Sequence, residues 1–199
     1  MTPLIAIPAA GASSRMRGRD KLLETIDGTP LLRRQALAAL ATECPVAVTL
    51  PPDAPDRRKT VIDLPLIIEE VPEATEGISA SLRHAAERLA QDQALCILLP
   101  DVPGVTTSDI QTVLDVFEAS QGEKVTRAGQ QGTDTPGTPL VLPPEIAARF
   151  RTLRNEDSGR HLLNDTHPLI VPFPDDRATR DLDTPEAWAA WRVETNTPD

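Results

Sequence analysis

Short apolar runs recur along this chain with helix-like stretches between them, and that alternation limits its fold more than any other feature. Residues 4–7 (Leu-Ile-Ala-Ile), 46–50, 66–68, 94–99, 139–143 and 169–171 are of strand length. The first is followed, from about Pro30, by Leu31, Leu32, Ala36, Leu37 and Leu40 at helical spacing. Residues 77–91 carry Ile78, Leu82, Ala85, Ala86 and Leu89 on one helical face. Thr107 or Ser108 could cap a helix holding Ile110, Val113, Leu114 and Phe117, and Pro144 opens another to Leu153. Thr184-Pro185-Glu186 opens a last helix with Trp188 and Trp191, while residues 121–139 read as a loop or hairpin. Strand-then-helix repetition implies βαβ units. The expected fold is α/β, a doubly wound, mostly parallel, Rossmann-like sheet with helices on both faces. Residues 1–194 read as one domain and residues 195–199 as a frayed tail.

Ligands of such sheets bind beyond the carboxyl ends of the strands. The stretch after the first strand, Ala9-Ala10-Gly11-Ala12-Ser13-Ser14-Arg15-Met16-Arg17-Gly18-Arg19-Asp20-Lys21, falls there. It sets four cations against one acid in a chain whose net charge is -10. Small residues let backbone N–H groups approach a polyphosphate, and Arg and Lys neutralise its oxygens. A solvated basic turn is the plain alternative. The overall acidity argues against nucleic-acid partners, and with no Tyr the chain lacks stacking platforms. No apolar run reaches membrane length, and the start does not read as a signal peptide, so a cytoplasmic location is expected. Cys44 and Cys96 have no metal or disulfide spacing; Cys96 reads as a buried structural thiol.

The loop lacks both the Walker pattern and the dinucleotide fingerprint. With Ala10-Gly11, Ser13, Arg15, Met16 and Lys21, followed by Gly28-Thr29-Pro30-Leu31-Leu32, it resembles the MobA/MocA-like NTP transferases, which build molybdenum cofactor dinucleotides. The resemblance continues through Gly77-Ile78-Ser79-Ala80-Ser81-Leu82, Asp101-Val102-Pro103 and Asp181-Leu182-Asp183-Thr184-Pro185-Glu186. It is looser at Pro136-Gly137-Thr138-Pro139 and residues 156–163, which match the family's acceptor-side segments. Arg17 departs from the pattern, standing where family members usually carry Gly.

The resemblance implies a fold like that of the nucleotide-diphospho-sugar transferases. It also implies nucleotidyl transfer from an NTP to a phosphorylated small-molecule acceptor such as molybdopterin, with release of pyrophosphate. Ala9, Ala10, Gly11, Ser13, Gly77, Ser79 and Ser81 would border the nucleotide. Arg15 and Lys21 would hold its phosphates. Asp101, with Asp181 or Asp183, would bind Mg²⁺, the three catalytic groups being Arg15, Lys21 and Asp101. The residues also allow plainer roles: a turn for Asp101, a helix cap for Asp183, local hydrogen bonds for Ser79 and Ser81. Ala9-Ala10-Gly11 leans to CTP, whereas the seven-residue span from Arg15 to Lys21 leans to GTP; CTP is the favoured expectation. A molybdoenzyme or maturation protein is the expected protein contact. A sugar-phosphate or polyol-phosphate transferase, or a lapsed nucleotide-binding accessory protein, are the competing readings.

Overall fold

The structure, a computed structural model, describes residues 2–133, 135–155 and 157–195. In chain order the elements are β1 (Leu4–Pro8), β2 (Thr25–Ile26), β3 (Thr29–Pro30), α1 (Leu31–Leu40), β4 (Val46–Leu50), α2 (Pro55–Val61), β5 (Ile67–Glu70), α3 (Ile78–Glu87), β6 (Leu95–Ile97), α4 (Thr107–Ala119), β7 (Thr126–Gln130), β8 (Pro136–Leu142), α5 (Pro144–Arg149), β9 (Leu169–Phe173) and α6 (Pro185–Thr195). The main sheet runs β5-β4-β1-β6-β8-β7-β9. The pairs β5/β4, β4/β1, β1/β6 and β7/β9 are parallel, and β8 alone runs against its neighbours β6 and β7.

Alternation along the strands divides the core between two faces. Ile5, Ile7, Val46, Val48 and Cys96 point to one, where they meet Leu32 and Ala36 of α1, Ile110 and Val113 of α4, and Trp188 of α6. Leu4, Ala6, Ala47, Leu95 and Ile97 point to the other, covered by Leu82 and Ala86 of α3 and by Ala147 and Phe150. Helices on both faces explain why β1 and β6 are apolar at every position rather than at alternate ones. Each fully buried Leu or Ile contributes about 1.5–3 kcal/mol to that core. Cys96 lies wholly buried in it, and burial pushes its thiol far up, as expected of an unreactive structural cysteine.

Several boundaries differ from expectation. Thr106, not Thr107 or Ser108, caps α4: its hydroxyl accepts from the Asp109 amide, while Asp109 accepts from the Thr106 amide at 2.9 Å. The helix expected over residues 144–153 stops at Arg149 and tightens into a 3₁₀ turn, Phe150–Thr152, and α3 ends at Glu87 rather than near Gln91. The third strand sits slightly later than residues 66–68, and α2 was not anticipated. The 121–139 span holds β7 and the start of β8, which pair antiparallel, and β8 runs on to Leu142. Thr195 closes α6, and the rest of the expected tail, residues 196–199, lies outside the described residues. Among the described residues no helix is long and apolar enough to cross a membrane.

The chain turns outward in both directions from the centre of the sheet, β1 leading to β4 and β6 lying on its other side. The loops after β1 and β6 therefore flank the switch point of the sheet, where a ligand crevice is expected.

Candidate active site

The basic stretch leaves β1 as a loop folded back on itself. Ser13 and Arg17 adopt left-handed conformations (φ 50° and 53°) around a single 3₁₀ turn, Ser14–Met16, whose Met16 is buried as an anchor. An arginine carries a conformational cost there that glycine would avoid. Arg17 turns away from the loop and meets Glu186 of α6 at 2.7 Å. Its side chain is exposed and its ion pair is with α6.

The loop is held from beneath by Arg57, in the first turn of α2, a residue that no local sequence signal singles out. Its guanidinium donates to the Ala9 carbonyl (2.6 Å), to Ser13 Oγ (3.1 Å) and to both carboxylate oxygens of Asp20 (2.6 and 2.9 Å). Asp20 also accepts from Ser13 Oγ and from the Leu22 amide. Both ends of the loop are thus tied to one buried fork, a geometry that lysine could not reproduce. Ala9 and Ser13 act as scaffold in this arrangement. Ala10 packs on Val71 and on Ala80 of α3.

Asp101 follows β6, and its loop is fixed from two sides. Buried Gln35 of α1 donates to the Val102 carbonyl at 3.1 Å, and the Leu182 amide donates to the Asp101 carbonyl at 3.0 Å. Leu182 is fully buried, so its neighbours Asp181 and Asp183 project together to the other side. The segment is irregular rather than a strand, yet the expected alternation holds. Carboxylate oxygens of Asp101, Asp181 and Asp183 come within 4.8 Å of one another. The cap of α6 is supplied by Thr184, whose hydroxyl accepts from the Ala187 amide, which frees Asp183 for this cluster.

Lys21 Nζ lies 2.6 Å from both Asp101 Oδ2 and Asp183 Oδ1, and Arg15 reaches Asp183 Oδ2 at 2.5 Å. Burial alone would lower the Lys21 pKa, but the two carboxylates outweigh it and raise it, keeping the ammonium charged. Burial likewise works to raise Asp183, and the Lys21 and Arg15 cations overcome it and hold its carboxyl below the usual aspartate value. Asp181 goes the other way, raised by burial and by the neighbouring charges of Asp183 and Asp101. Three carboxylates thus face two cations. Asp101 Oδ1 is buried with no hydrogen-bond partner among the described residues. A buried carboxylate oxygen left bare amid other carboxylates is the donor set of a hard divalent cation, so these residues fit one.

Three hollows run through this region. A cavity of about 580 Å³ is lined by Ala10, Gly11 and Ala12, and on its other walls by Asp53, Asp56 and Thr75. Gly11 and Ala12 also line a smaller one, about 200 Å³, closed by Ser13, Arg15, Lys21 and Asp183. A Cβ on Gly11 would meet no protein atom within 4 Å, so that position is open toward the hollows and not toward the core. The third, about 620 Å³, is walled by Asp181, Arg127, Arg160 and the start of β8. Gly77 keeps φ 81° and ψ −153°, a region essentially reserved for glycine, and so sets the entry to α3. Ser79 is buried, its hydroxyl within hydrogen-bond reach of the Glu76 carbonyl at 3.1 Å and of the Asn155 carbonyl; Ser81, two residues on, is also buried. It is Ala80, between them, that touches the loop. His161 is exposed and bonded to Asp157, and Glu156, in the same segment, lies outside the described residues.

A cationic loop and a carboxylate cluster facing each other across the switch point of a largely parallel sheet make this an α/β protein whose candidate site suits a polyphosphate. Residues 5–169 match the MobA-like NTP transferase domain, and the chain belongs to that family of nucleotidyltransferases. A Synechococcus elongatus protein named "Probable molybdenum cofactor guanylyltransferase" is 32% identical over 196 residues, covering 94% of this chain and 97% of its own. The Rv0371c protein of Mycobacterium tuberculosis superposes with a TM-score of 0.80 at 21% identity, over 96% of this chain and 97% of its own. A structure of the same protein in complex with manganese gives 0.77 at 18% identity, with the same coverage. These two structural likenesses bear on the fold.

Proposed function

We propose that this chain transfers GMP from GTP to the phosphate of a molybdopterin-type acceptor, releasing pyrophosphate, with Mg²⁺ as its metal. The observation that carries the reading is the order of the three hollows. One lies beyond the small residues of the loop, the next between Arg15 and Lys21, and the third across the carboxylates. Base and ribose, phosphates, and acceptor would occupy them in that order. The name of the 32%-identical relative supports the acceptor and the guanylyl group.

The base hollow favours guanine on chemical grounds as well. Its outer wall carries Asp53 and Asp56. A carboxylate only accepts hydrogen bonds, and guanine presents two adjacent donors, N1–H and N2–H₂, on one edge. Cytosine presents one donor beside two acceptors, which a carboxylate repels. The Ala9-Ala10-Gly11 start is what favours CTP, and it makes cytidylyl transfer the second reading.

In the reaction an oxygen of the acceptor phosphate attacks the α-phosphorus, forming a new P–O bond as the bond to the β-phosphate oxygen breaks. The phosphate nucleophile is already anionic, so no general base is needed. Lys21 and Arg15 take up the charge that grows on the departing pyrophosphate. The loop and its Arg57 brace hold the triphosphate in line. Asp101, Asp181 and Asp183 would hold the magnesium ion, which would supply further neutralisation of phosphate charge. The test is a competition: molybdopterin, Mg²⁺ and equimolar GTP and CTP, with products read by mass spectrometry. An acceptor gaining GMP upholds the reading, one gaining CMP turns it to the second, and no adduct with either overturns both.

A further inference from the structure

Arg127 is set apart from the other cations of this acidic chain. Carried by β7, it makes one hydrogen bond, from Nη2 to the Gly137 carbonyl at 2.9 Å, and its Nε is buried without a partner among the described residues. Arg160 walls the same 620 Å³ cavity. Burial, and after it the charge of Arg160, lower the Arg127 pKa, and no carboxylate contributes against them. An arginine does not shed its proton at physiological pH, so this repulsion persists until an anion enters. Leu99, Leu140 and Phe150 give the same cavity apolar lining, and Asp181 lines it too.

We propose that Arg127 and Arg160 clamp a phosphate monoester whose flat, apolar body rests on Leu99, Leu140 and Phe150. The proposal deepens the reading above and rests on it only in taking the acceptor to be phosphorylated. Two phosphates must approach each other for transfer to occur, and Arg15 and Lys21 neutralise only the nucleotide's side. The clamp supplies the matching cations on the acceptor's side and brings its phosphate to the edge of the carboxylate cluster. The free Nε–H and the remaining Nη protons of Arg127 form the two-pronged donor that a phosphate accepts best.

The test uses phenyl phosphate as probe on ¹⁵N-labelled protein, following the arginine Nε–H signals by NMR, with phenol as control. The Arg127 signal should shift saturably with phenyl phosphate and not with phenol. Arg127→Lys and Arg160→Ala should each weaken probe binding at least ~10-fold while leaving GTP affinity within ~2-fold, the size expected for charge-assisted bonds made only to the acceptor. An Arg127 signal that does not move, probe binding unchanged in both variants, or GTP binding lost in parallel would overturn the clamp. Because the probe requires neither nucleotide nor turnover, the clamp and guanylyl transfer can fail separately.

Discussion

Arg57 grips Asp20 with a two-pronged ion pair, Nε to Oδ2 at 2.6 Å and Nη2 to Oδ1 at 2.9 Å, across 37 residues of chain. With Arg57 only 5% exposed, removing it takes a partner from Asp20, Ser13 and the Ala9 carbonyl together. Breaking such a pair from one side costs about 3–5 kcal/mol. Arg57→Ala should lose about that much stability in urea unfolding, and Arg57→Lys should recover little of it, because one ammonium cannot serve four acceptors. Full recovery by lysine would show that charge alone, and not the fork, shapes the loop.

Lys21 and Asp101 touch, yet their substitutions should separate. Lys21→Ala and Asp101→Asn should each lower turnover at least ~100-fold, since each removes charge stabilisation in the transition state. Mn²⁺ binding, followed by the electron paramagnetic resonance of the free ion, should survive in Lys21→Ala. It should weaken in Asp101→Asn, which removes a ligand. Equal loss of Mn²⁺ in both variants would contradict the roles given to them.

Gly11 tests whether the loop hollows are a ligand site. Its missing Cβ faces open space, so Gly11→Ala should change stability by no more than about 0.5 kcal/mol. The added methyl group would stand where the nucleotide's backbone contact is made, and GTP affinity should fall at least ~10-fold. Titration calorimetry and thermal unfolding on the same variant check the two halves. Unaltered affinity would move the nucleotide away from this loop.

Arg17→Gly should be tolerated. It removes a left-handed conformation costing about 1–2 kcal/mol and one exposed ion pair with Glu186 worth about 0–1 kcal/mol. The variant should therefore be equally or slightly more stable in thermal unfolding, with turnover within ~3-fold of the parent. A large loss of turnover would make Arg17 part of the site.

The sheet and much of the site could be read from the chain because their signals are local. Residues 4–7 and 94–99 are apolar at every position, which marks central strands buried on both faces. The loop and Asp101 follow recognisable strands, and the Asp181/Asp183 pair lies just before the last helix. Arg57 could not be read, since α2 is a short helix and its partner is set only by the fold. Thr106, and not the expected Thr107 or Ser108, caps α4 because Asp109 stands three residues beyond it and completes a capping box. Ser79 shows the opposite case: a motif serine at a helix start whose hydroxyl is engaged by the carbonyls of Glu76 and Asn155. Nothing in residues 77–82 predicts Asn155 as its neighbour. Arg127 was hidden in a stretch read only as loop or hairpin, because its cavity forms from β7, β8 and residues beyond them.

The central claim is that the carboxylate cluster joins a phosphate loop on one side to an acceptor cavity on the other. Pyrophosphate release tests it most directly, measured with GTP and Mg²⁺, with and without molybdopterin, in the parent chain and in Asp101→Asn/Asp183→Asn. The account predicts release that requires the acceptor and drops at least ~100-fold in the double variant. Release that ignores the acceptor, or that persists without these two carboxylates, would contradict it.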